Sequence, residues 1–161
     1  MAVIKDGRIV ADPWITIAED GALPEGEALL VPYEIWERRR DTLRRRNGRV
    51  GIRLAAGQSP HLLAGDLERI DLIALDFPTL RDGRAYSAAR LLRERHGYTG
   101  ELRAVGQVLR DQFLFMHRCG FDSFEVTDPG AAGHWAEALS EISVAYQPAG
   151  DERRAVLMAG R

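Results

Sequence analysis

Carboxylates and arginines alternate along the stretch from Asp76 to Asp111, and these residue types together can bind an anion and place a proton. A guanidinium presents a planar fork of N–H donors that suits carboxylates and phosphate-like anions, and an aspartate can position a proton or a water molecule. The candidate anion ligands are Arg84, Arg103, Arg110, Tyr86, Ser87 and Asp111, and the candidates for proton transfer are Asp76 and Asp82. The sequence therefore indicates a functional site within this stretch.

Each of these residues also has a structural interpretation that the sequence leaves open. Asp82 before Gly83 has the pattern of a turn or a helix cap, and Arg84 could pair with Asp82 or with Asp111. Asp111 at a helix start would be favoured by the helix dipole alone. Arg103 lies inside a predicted strand, so it needs a partner such as a nearby carboxylate if no ligand is bound.

The elements that must position these side chains alternate between strands and helices. We predict strands over Val50–Ala55, Asp71–Phe77, Leu102–Val105 and Asp122–Val126, with helices over Ser59–Leu67, Tyr86–His96, Leu109–Cys119 and His134–Ile142. This alternation implies parallel strands with right-handed crossovers. Ligands of such sheets bind beyond the carboxyl ends of the strands. The loops over 76–84 and 106–111 should therefore be neighbours at one edge.

Shorter β segments and one helix precede the repeat. Asp6-Gly7 predicts a tight hairpin between two short strands, and a helix ends at Asn47-Gly48. The predicted elements are Val3–Lys5, Arg8–Val10, Trp14–Ile17 and the helix Tyr33–Arg46. We expect one domain over 1–161, with a β-rich segment over 1–31, a helix over 32–47, a βα-repeat core over 49–146 and a C-terminal tail over 147–161.

Two α/β architectures fit this order of elements: a partial, half TIM-like barrel and a small open sheet. An arginine inside a sheet that is covered on both faces would be costly, whereas the concave face of a partial barrel could hold Arg103 near a ligand. The exposed edge of a partial barrel needs a covering segment, which the N-terminal strands could supply. In the helix Leu109–Cys119, Leu109, Phe113 and Met116 have core spacing, and Phe115 hints at a second buried face, so we expect a homo-oligomer.

Composition excludes several classes of partner. The 161 residues are 45% hydrophobic and 29% charged, which is ordinary for a globular domain. The net charge of −2 gives no reason to expect a nucleic-acid partner. The start at Met1–Asp6 is too short and too charged for a signal peptide, and no apolar run approaches about 18 residues. We therefore expect no membrane partner and a cytoplasmic location.

Motifs for cofactors are absent from the sequence. Cys119 is the only cysteine, which excludes an internal disulfide and a multi-cysteine metal or iron–sulfur site. There is no Gly-x-Gly-x-x-Gly after a strand, no Walker-type loop, no Gly-x-Ser-x-Gly and no zinc spacing of His and Glu. No cofactor and no metal is therefore evident, and the residues alone leave open whether the protein is an enzyme.

A resemblance to a known family rests on one long block and the stretch that follows it. These are Asp82-Gly83-Arg84-Ala85-Tyr86-Ser87-Ala88-Ala89-Arg90-Leu91-Leu92-Arg93-Glu94-Arg95 and Gly100-Glu101-Leu102-Arg103-Ala104, with Arg118–Asp122 and Tyr146-Gln147 further on. They resemble the DUF934 family of bacterial proteins, which is described as oxidoreductases involved in sulfite reduction. Thr79-Leu80-Arg81 and Gln107 depart from the family pattern.

The resemblance implies a pathway, assimilatory sulfite reduction, and leaves the reaction undefined. One hypothesis is an accessory protein that binds sulfite reductase or its electron donor. A second is a small enzyme or anion-binding module, in which Arg84, Arg103 and Arg110 hold a sulfur oxyanion while Asp76 or Asp82 places a proton or water. A third is a structural dimeric protein of unrelated role, whose Asp-Gly-Arg block is an ion-pair network.

Overall fold

Short apolar runs form the strands of one strongly curled, open sheet in the computed structural model, which describes residues 1–18, 21–128, 130 and 132–141. The strands are β1 (Ala2–Lys5), β2 (Arg8–Val10), β3 (Trp14–Thr16), β4 (Ala28–Pro32), β5 (Val50–Leu54), β6 (Leu72–Phe77), β7 (Glu101–Gly106) and β8 (Ser123–Val126). Their order is β2-β1-β8-β7-β6-β5-β4-β3. Strands β3 to β8 run parallel, and β1 is antiparallel to β8 and to β2. The prediction of a partial barrel built from parallel βα repeats is confirmed.

Helical segments follow each of the strands β4 to β8. They are α1 (Tyr33–Arg38), α2 (Arg40–Arg45), 3-10 turns at Pro60–Leu63, Leu67–Arg69 and Arg110–Gln112, α3 (Arg84–Arg90), a π-helical turn at Leu91–Arg95, α4 (Phe113–Cys119) and a helix over 132–141 that we call α5. The predicted helix at Tyr86 thus begins two residues earlier. The residues from 142 onward, which include Ile142 and the predicted C-terminal tail, lie outside the described part of the chain.

The N-terminal third differs from prediction in two places. The hairpin is present, with Asp6 and Gly7 both at positive φ as a two-residue hairpin turn requires. Strand β4 was not predicted, although its Ala-Leu-Leu-Val run is buried throughout and has the pattern of a fully buried parallel strand. The single predicted helix is divided at Arg39, whose φ of −116° leaves the helical range and whose guanidinium donates to the Gly21 carbonyl.

A three-residue strap joins the two edges of the sheet. Strand β2 lies at one edge and β3 at the other, and only Ala11–Pro13 separate them in sequence. Four consecutive Cα–Cα steps of about 3.8 Å span at most about 15 Å, so Val10 and Trp14 are close in space. The strap therefore limits how far the partial barrel can open.

The two faces of the sheet carry different cores. The larger cluster packs the helices against the convex face, with Trp36, Leu92 and Phe113 among its fully buried members. The concave face carries a smaller cluster that has no helical member: Trp14, Ala28, Leu30, Leu72, Ala74 and Val105. Gly51 lets the Trp14 ring lie close to the strand, since a Cβ at this position would lie 3.1 Å from that ring.

The described part of the chain contains no helix that is both long enough and apolar enough to cross a membrane.

Candidate functional site

A pocket of about 280 Å³ opens at the carboxyl ends of β5 and β6, where the fold predicts ligands to bind. The loop after β5 forms one wall and α3 forms the other. Most of the lining is apolar, and the polar contributors are Gln58, Asp76, Arg84 and Ser87. Three residues predicted from the sequence, Asp76, Arg84 and Ser87, thus lie around one cavity.

Arg84 is held by the carboxylate two residues before it. Its Nε donates to both oxygens of Asp82 at 2.9 and 3.1 Å, its Nη2 donates to Oδ2, and its backbone N–H donates to Oδ1. The side-chain and backbone hydrogen bonds from Arg84 lower the pKa of Asp82 to about 2. Asp82 is therefore a carboxylate at neutral pH that orients Arg84, and it is a poor proton donor.

The remaining donor of Arg84 lies against a glycine in the opposite wall of the pocket. Its Nη1 would be 3.0 Å from a Cβ built on Gly57, a residue with φ of +89°. Among the described residues, no acceptor is hydrogen-bonded to this Nη1. One edge of the guanidinium is therefore used by Asp82, and Nη1 remains available to an acceptor in the pocket.

Asp76 is the last residue but one of strand β6, and its carboxylate is already paired. Its Oδ1 lies 3.1 Å from Nη2 of Arg53 on the adjacent strand β5. Gly106 at the end of β7 makes room for this carboxylate, because a Cβ there would lie 2.6 Å from Asp76 Oδ1. The two pairs Arg84–Asp82 and Arg53–Asp76 thus border the pocket, and together they carry no net charge.

The predicted hydroxyl residues have different surroundings. Ser87 lines the pocket, but in the described part of the chain it makes no hydrogen bond to a histidine or carboxylate, so the nucleophile–base contact of covalent catalysis is missing. Tyr86 faces the other way. Its ring makes edge contacts with Phe77 and Phe115 at 5.1 and 4.7 Å.

Three exposed apolar residues lie on the segments that meet at Gln112. Gln112 donates its backbone N–H to the carbonyl of Leu109 and its amide to the carbonyl of Leu80, and Phe115 follows it by one helical turn. Leu80, Leu109 and Phe115 are 45%, 39% and 48% exposed; we call them the apolar patch. The expectation that Leu109 packs in the core with Phe113 and Met116 is wrong, because the chain enters α4 through a 3-10 turn after Leu109.

The other predicted residues of this loop lie near the patch. Arg110 and Asp111 are exposed on the 3-10 turn that precedes α4. They are not among the residues that line the pocket beside Arg84. Arg90 of α3 lies over the Phe115 ring at 5.8 Å from its centroid. The patch therefore has an arginine-rich rim.

Arg103 is placed apart from the pocket, on the concave face of β7. It is 2% exposed, and its guanidinium donates to Ser123 (3.3 Å), to both oxygens of Asp12 (3.1 Å) and to Glu101 (3.1 Å). Glu101 also accepts hydrogen bonds from Ser123 and Lys5. This network lies toward the amino ends of the strands, where barrel residues generally serve stability.

The contacts within the network favour the charged form of Glu101. Burial alone would raise the pKa of Glu101. The hydrogen bonds from Ser123 and Lys5 and the charge of Arg103 outweigh burial and leave the pKa of Glu101 below its ordinary value. Each of the three nitrogens of the Arg103 guanidinium donates to an acceptor within the protein.

The sequence interpretation missed the loop after β5, which supplies Gly57 and Gln58. Ala55-Ala56-Gly57-Gln58 directly follows a predicted strand, so the rule that selected the loops after β6 and β7 applies to it equally. Gln58 is tied down by its amide, which donates to Glu34 at 2.6 Å, and by its side-chain oxygen, which accepts from the Ala55 N–H at 2.8 Å. Arg53 was missed because its pairing depends on the strand register.

Metal ligands do not converge within the described residues, where no group of three or more His, Cys, Asp and Glu side chains could hold an ion. Two histidines do approach each other, with His61 Nδ1 3.0 Å from His96 Nε2. Cys119 is buried with a free thiol.

Fold and site together define an α/β protein of the partial-barrel class, with a small pocket and an exposed apolar patch at the carboxyl ends of its strands. A model of a family described as bacterial protein of unknown function, DUF934, matches residues 51–157. This match covers about two thirds of the chain, so the chain belongs to the DUF934 family, and the resemblance inferred from the Asp82–Arg95 block is confirmed. No curated protein matches the chain significantly.

Proposed function

We propose that this chain is an accessory protein of assimilatory sulfite reduction and that it binds sulfite reductase or its electron donor through the apolar patch. The pathway rests on the family resemblance of the Asp82–Arg95 block. The mode of action rests on Leu80, Leu109 and Phe115, which expose apolar surface where the loops after β6 and β7 meet.

The apolar patch has the properties of a protein-binding surface. Grouped exposed apolar side chains with a polar rim commonly mark interaction sites, and aromatic and arginine residues contribute disproportionately to binding. Phe115 supplies the aromatic anchor, and its partners Tyr86 and Arg90 hold it from one side. Because Phe115 is restrained in this way, a partner that covers it loses little side-chain entropy on binding.

Catalysis by this chain alone has less support in the same geometry. The two carboxylates proposed for proton transfer, Asp76 and Asp82, are both paired with arginine. Among the residues that the structure describes, none is a base hydrogen-bonded to Ser87. An accessory role requires none of these groups to react. It requires a surface that a partner can cover, which the apolar patch supplies.

The experiment that tests this proposal measures binding of the purified chain to purified assimilatory sulfite reductase and, separately, to its electron-donor protein. We expect saturable binding to one of them and a change in the sulfite-dependent rate of the reductase. Phe115→Ser should weaken binding at least tenfold. Ile15→Ser is the matched control, since Ile15 is 40% exposed on β3 at the far edge of the sheet.

Two outcomes would contradict the proposal. One is the absence of binding to both proteins together with an unchanged reductase rate. The other is self-association through the patch, in which case the wild-type chain would be a dimer by light scattering and Phe115→Ser a monomer. If Phe115→Ser and Ile15→Ser weaken binding equally, the apolar patch is not the binding interface.

A second candidate function is the binding or conversion of a small sulfur oxyanion in the pocket beside Arg84. The observation that favours it is the Nη1 of Arg84, which faces the pocket while Asp82 occupies the other edge of the guanidinium. Calorimetry with sulfite, sulfate and adenylylated sulfate tests it. Binding heat that disappears in Arg84→Gln and persists in Arg110→Gln would support binding in the pocket. The absence of heat at millimolar ligand would contradict this second function.

A further inference from the structure

A second concave surface lies between α2 and the 3-10 turn Leu67–Arg69, and arginine dominates its lining. The cavity measures about 290 Å³, and its lining residues are Asp41, Arg44, Arg45 and Arg69. We call it the arginine bowl. It shares no lining residue with the pocket beside Arg84.

A buried carboxylate behind the bowl joins the two elements that form it. Asp66 is 5% exposed, and its two oxygens lie 3.3 Å from Nε of Arg40 and Nε of Arg44 on α2. The Asp66 carbonyl also accepts the backbone N–H of Arg69 at 2.8 Å. Asp66 therefore links the two elements beside the bowl, because its carboxylate pairs with Arg40 and Arg44 of α2 and its carbonyl belongs to the turn that ends at Arg69.

The charges of this region do not balance. The residues that line the bowl are three arginines, Arg44, Arg45 and Arg69, and one carboxylate, Asp41, so the lining carries a net charge of +2. The chain as a whole has a net charge of −2. Bringing like charges together is unfavourable. An anion that entered the bowl would relieve this repulsion and could accept several charge-assisted hydrogen bonds at once.

We propose that the arginine bowl is a binding site for a doubly charged tetrahedral oxyanion, the phosphate or sulfate group of a small molecule. Arg44, Arg45 and Arg69 donate to the oxyanion, and Asp66 is a positioning residue that fixes Arg44. A liquid water takes about 30 Å³, so the bowl has room for the oxyanion and an attached organic group. The planar fork of arginine suits several oxygens of one ligand better than the point charge of lysine does.

The test is calorimetric titration of the full chain with inorganic phosphate and, separately, with inorganic sulfate. Sodium chloride keeps the ionic strength constant, because exposed charges are screened by salt. We expect saturable 1:1 binding of at least one of the two anions. Arg69→Gln and Arg45→Gln should each weaken binding at least tenfold, and Arg69→Lys should fall between Arg69→Gln and the wild type.

Two control variants separate this site from others. Arg8→Gln removes one exposed arginine from strand β2 and should leave the dissociation constant unchanged within twofold. Arg84→Gln alters the pocket at the ends of β5 and β6 and should also leave it unchanged. If Arg84→Gln abolishes the heat while Arg69→Gln does not, the oxyanion site is in that pocket and the bowl proposal is overturned.

Stability in chloride alone distinguishes a ligand site from a structural cluster. The melting temperature of Arg69→Gln should equal or exceed that of the wild type, because one repelling charge is gone. The stabilisation on adding phosphate or sulfate should be smaller than in the wild type. A lower melting temperature in chloride with unchanged anion binding would overturn the proposal. The absence of saturable heat up to about 10 mM anion would also overturn it.

Discussion

The Arg103 guanidinium donates two hydrogen bonds of 3.1 Å to the carboxylate of Asp12, which is 91 positions away in sequence. Asp12 is the middle residue of the strap Ala11–Pro13, and Arg103 projects from β7 in the middle of the sheet. The pair therefore ties the strap across the concave face. It also explains how a buried arginine is tolerated in a strand, since its charge is met by carboxylates on the same face.

The first prediction concerns this tie. Asp12→Asn leaves the buried Arg103 with one carboxylate in place of two, and breaking a buried ion pair costs about 3–5 kcal/mol in well-buried cases. Because Asp12 is partly exposed, we expect the free energy of unfolding to fall by about 1–3 kcal/mol, measured by urea denaturation. Asp111→Asn, an exposed aspartate, should change it by less than about 0.5 kcal/mol. Equal effects of the two variants would contradict the tie.

The second prediction is the pH dependence that Glu101 imposes. Its pKa is lowered in the folded state, so between the folded and unfolded pKa values the unfolded chain binds more protons. The stability from Glu101 is therefore fully present above its ordinary pKa of 4.5 and is lost as the pH falls through the lower folded value. Urea unfolding should show Glu101→Gln less stable than the wild type at pH 7, with the difference shrinking below about pH 4. A difference that is constant with pH, as expected for the exposed Glu94→Gln, would contradict this role.

The third prediction separates binding from stability within one helix. Phe113 is 1% exposed and Phe115 is 48% exposed, two positions apart on α4. Phe113→Ala should lower the free energy of unfolding by about 3–5 kcal/mol, the usual cost of emptying a core aromatic site. Phe115→Ala should lower it by less than about 1 kcal/mol. Chemical denaturation measures both, and a large loss for Phe115→Ala would mean that the patch is structural.

The fourth prediction concerns the glycine beside Asp76. Gly106 has φ of +88°, and an added Cβ would lie 2.6 Å from both Asp76 Oδ1 and the Phe77 carbonyl oxygen. Gly106→Ala should therefore cost about 1–3 kcal/mol of stability. Gly83→Ala is the control, because a Cβ there meets nothing within 4 Å. Thermal melting compares the two, and equal melting temperatures for Gly106→Ala and Gly83→Ala would contradict the prediction.

The fifth prediction concerns Arg84 and Asp82. Both belong to an exposed pair, so we expect Arg84→Gln to leave the melting temperature nearly unchanged. We expect the same variant to abolish any sulfur-oxyanion heat that arises in the pocket. If instead Arg84→Gln unfolds the chain, the Asp-Gly-Arg block is a structural network, which is the third hypothesis raised by the sequence.

Local pattern was enough to place most elements and the edge of the sheet where the site lies. The Asp6-Gly7 turn, the parallel strands β5 to β8 and the loops at their carboxyl ends follow from short-range residue preferences and hydrophobic spacing. The same patterns predicted Arg84 and Asp76 near one another, and the structure places both at one pocket. The ends of the helices and the exposure of Leu109 were not predicted, because they depend on what packs against each segment.

By itself, the sequence determined the family, the α/β repeat and the set of charged residues that could act. The tertiary structure decided how those charges are used, because an arginine side chain binds the carboxylate that the fold brings nearest. Asp82 holds Arg84 locally, whereas Arg103 pairs with Asp12, 91 positions earlier in the chain, and Arg44 of α2 pairs with Asp66 of a later turn. Such pairings depend on strand register and sheet curvature, which no short stretch of sequence contains. The Asp76–Asp111 stretch therefore contains the pocket arginine Arg84, structural arginines that include Arg93 and Arg103, and the loops that expose the apolar patch.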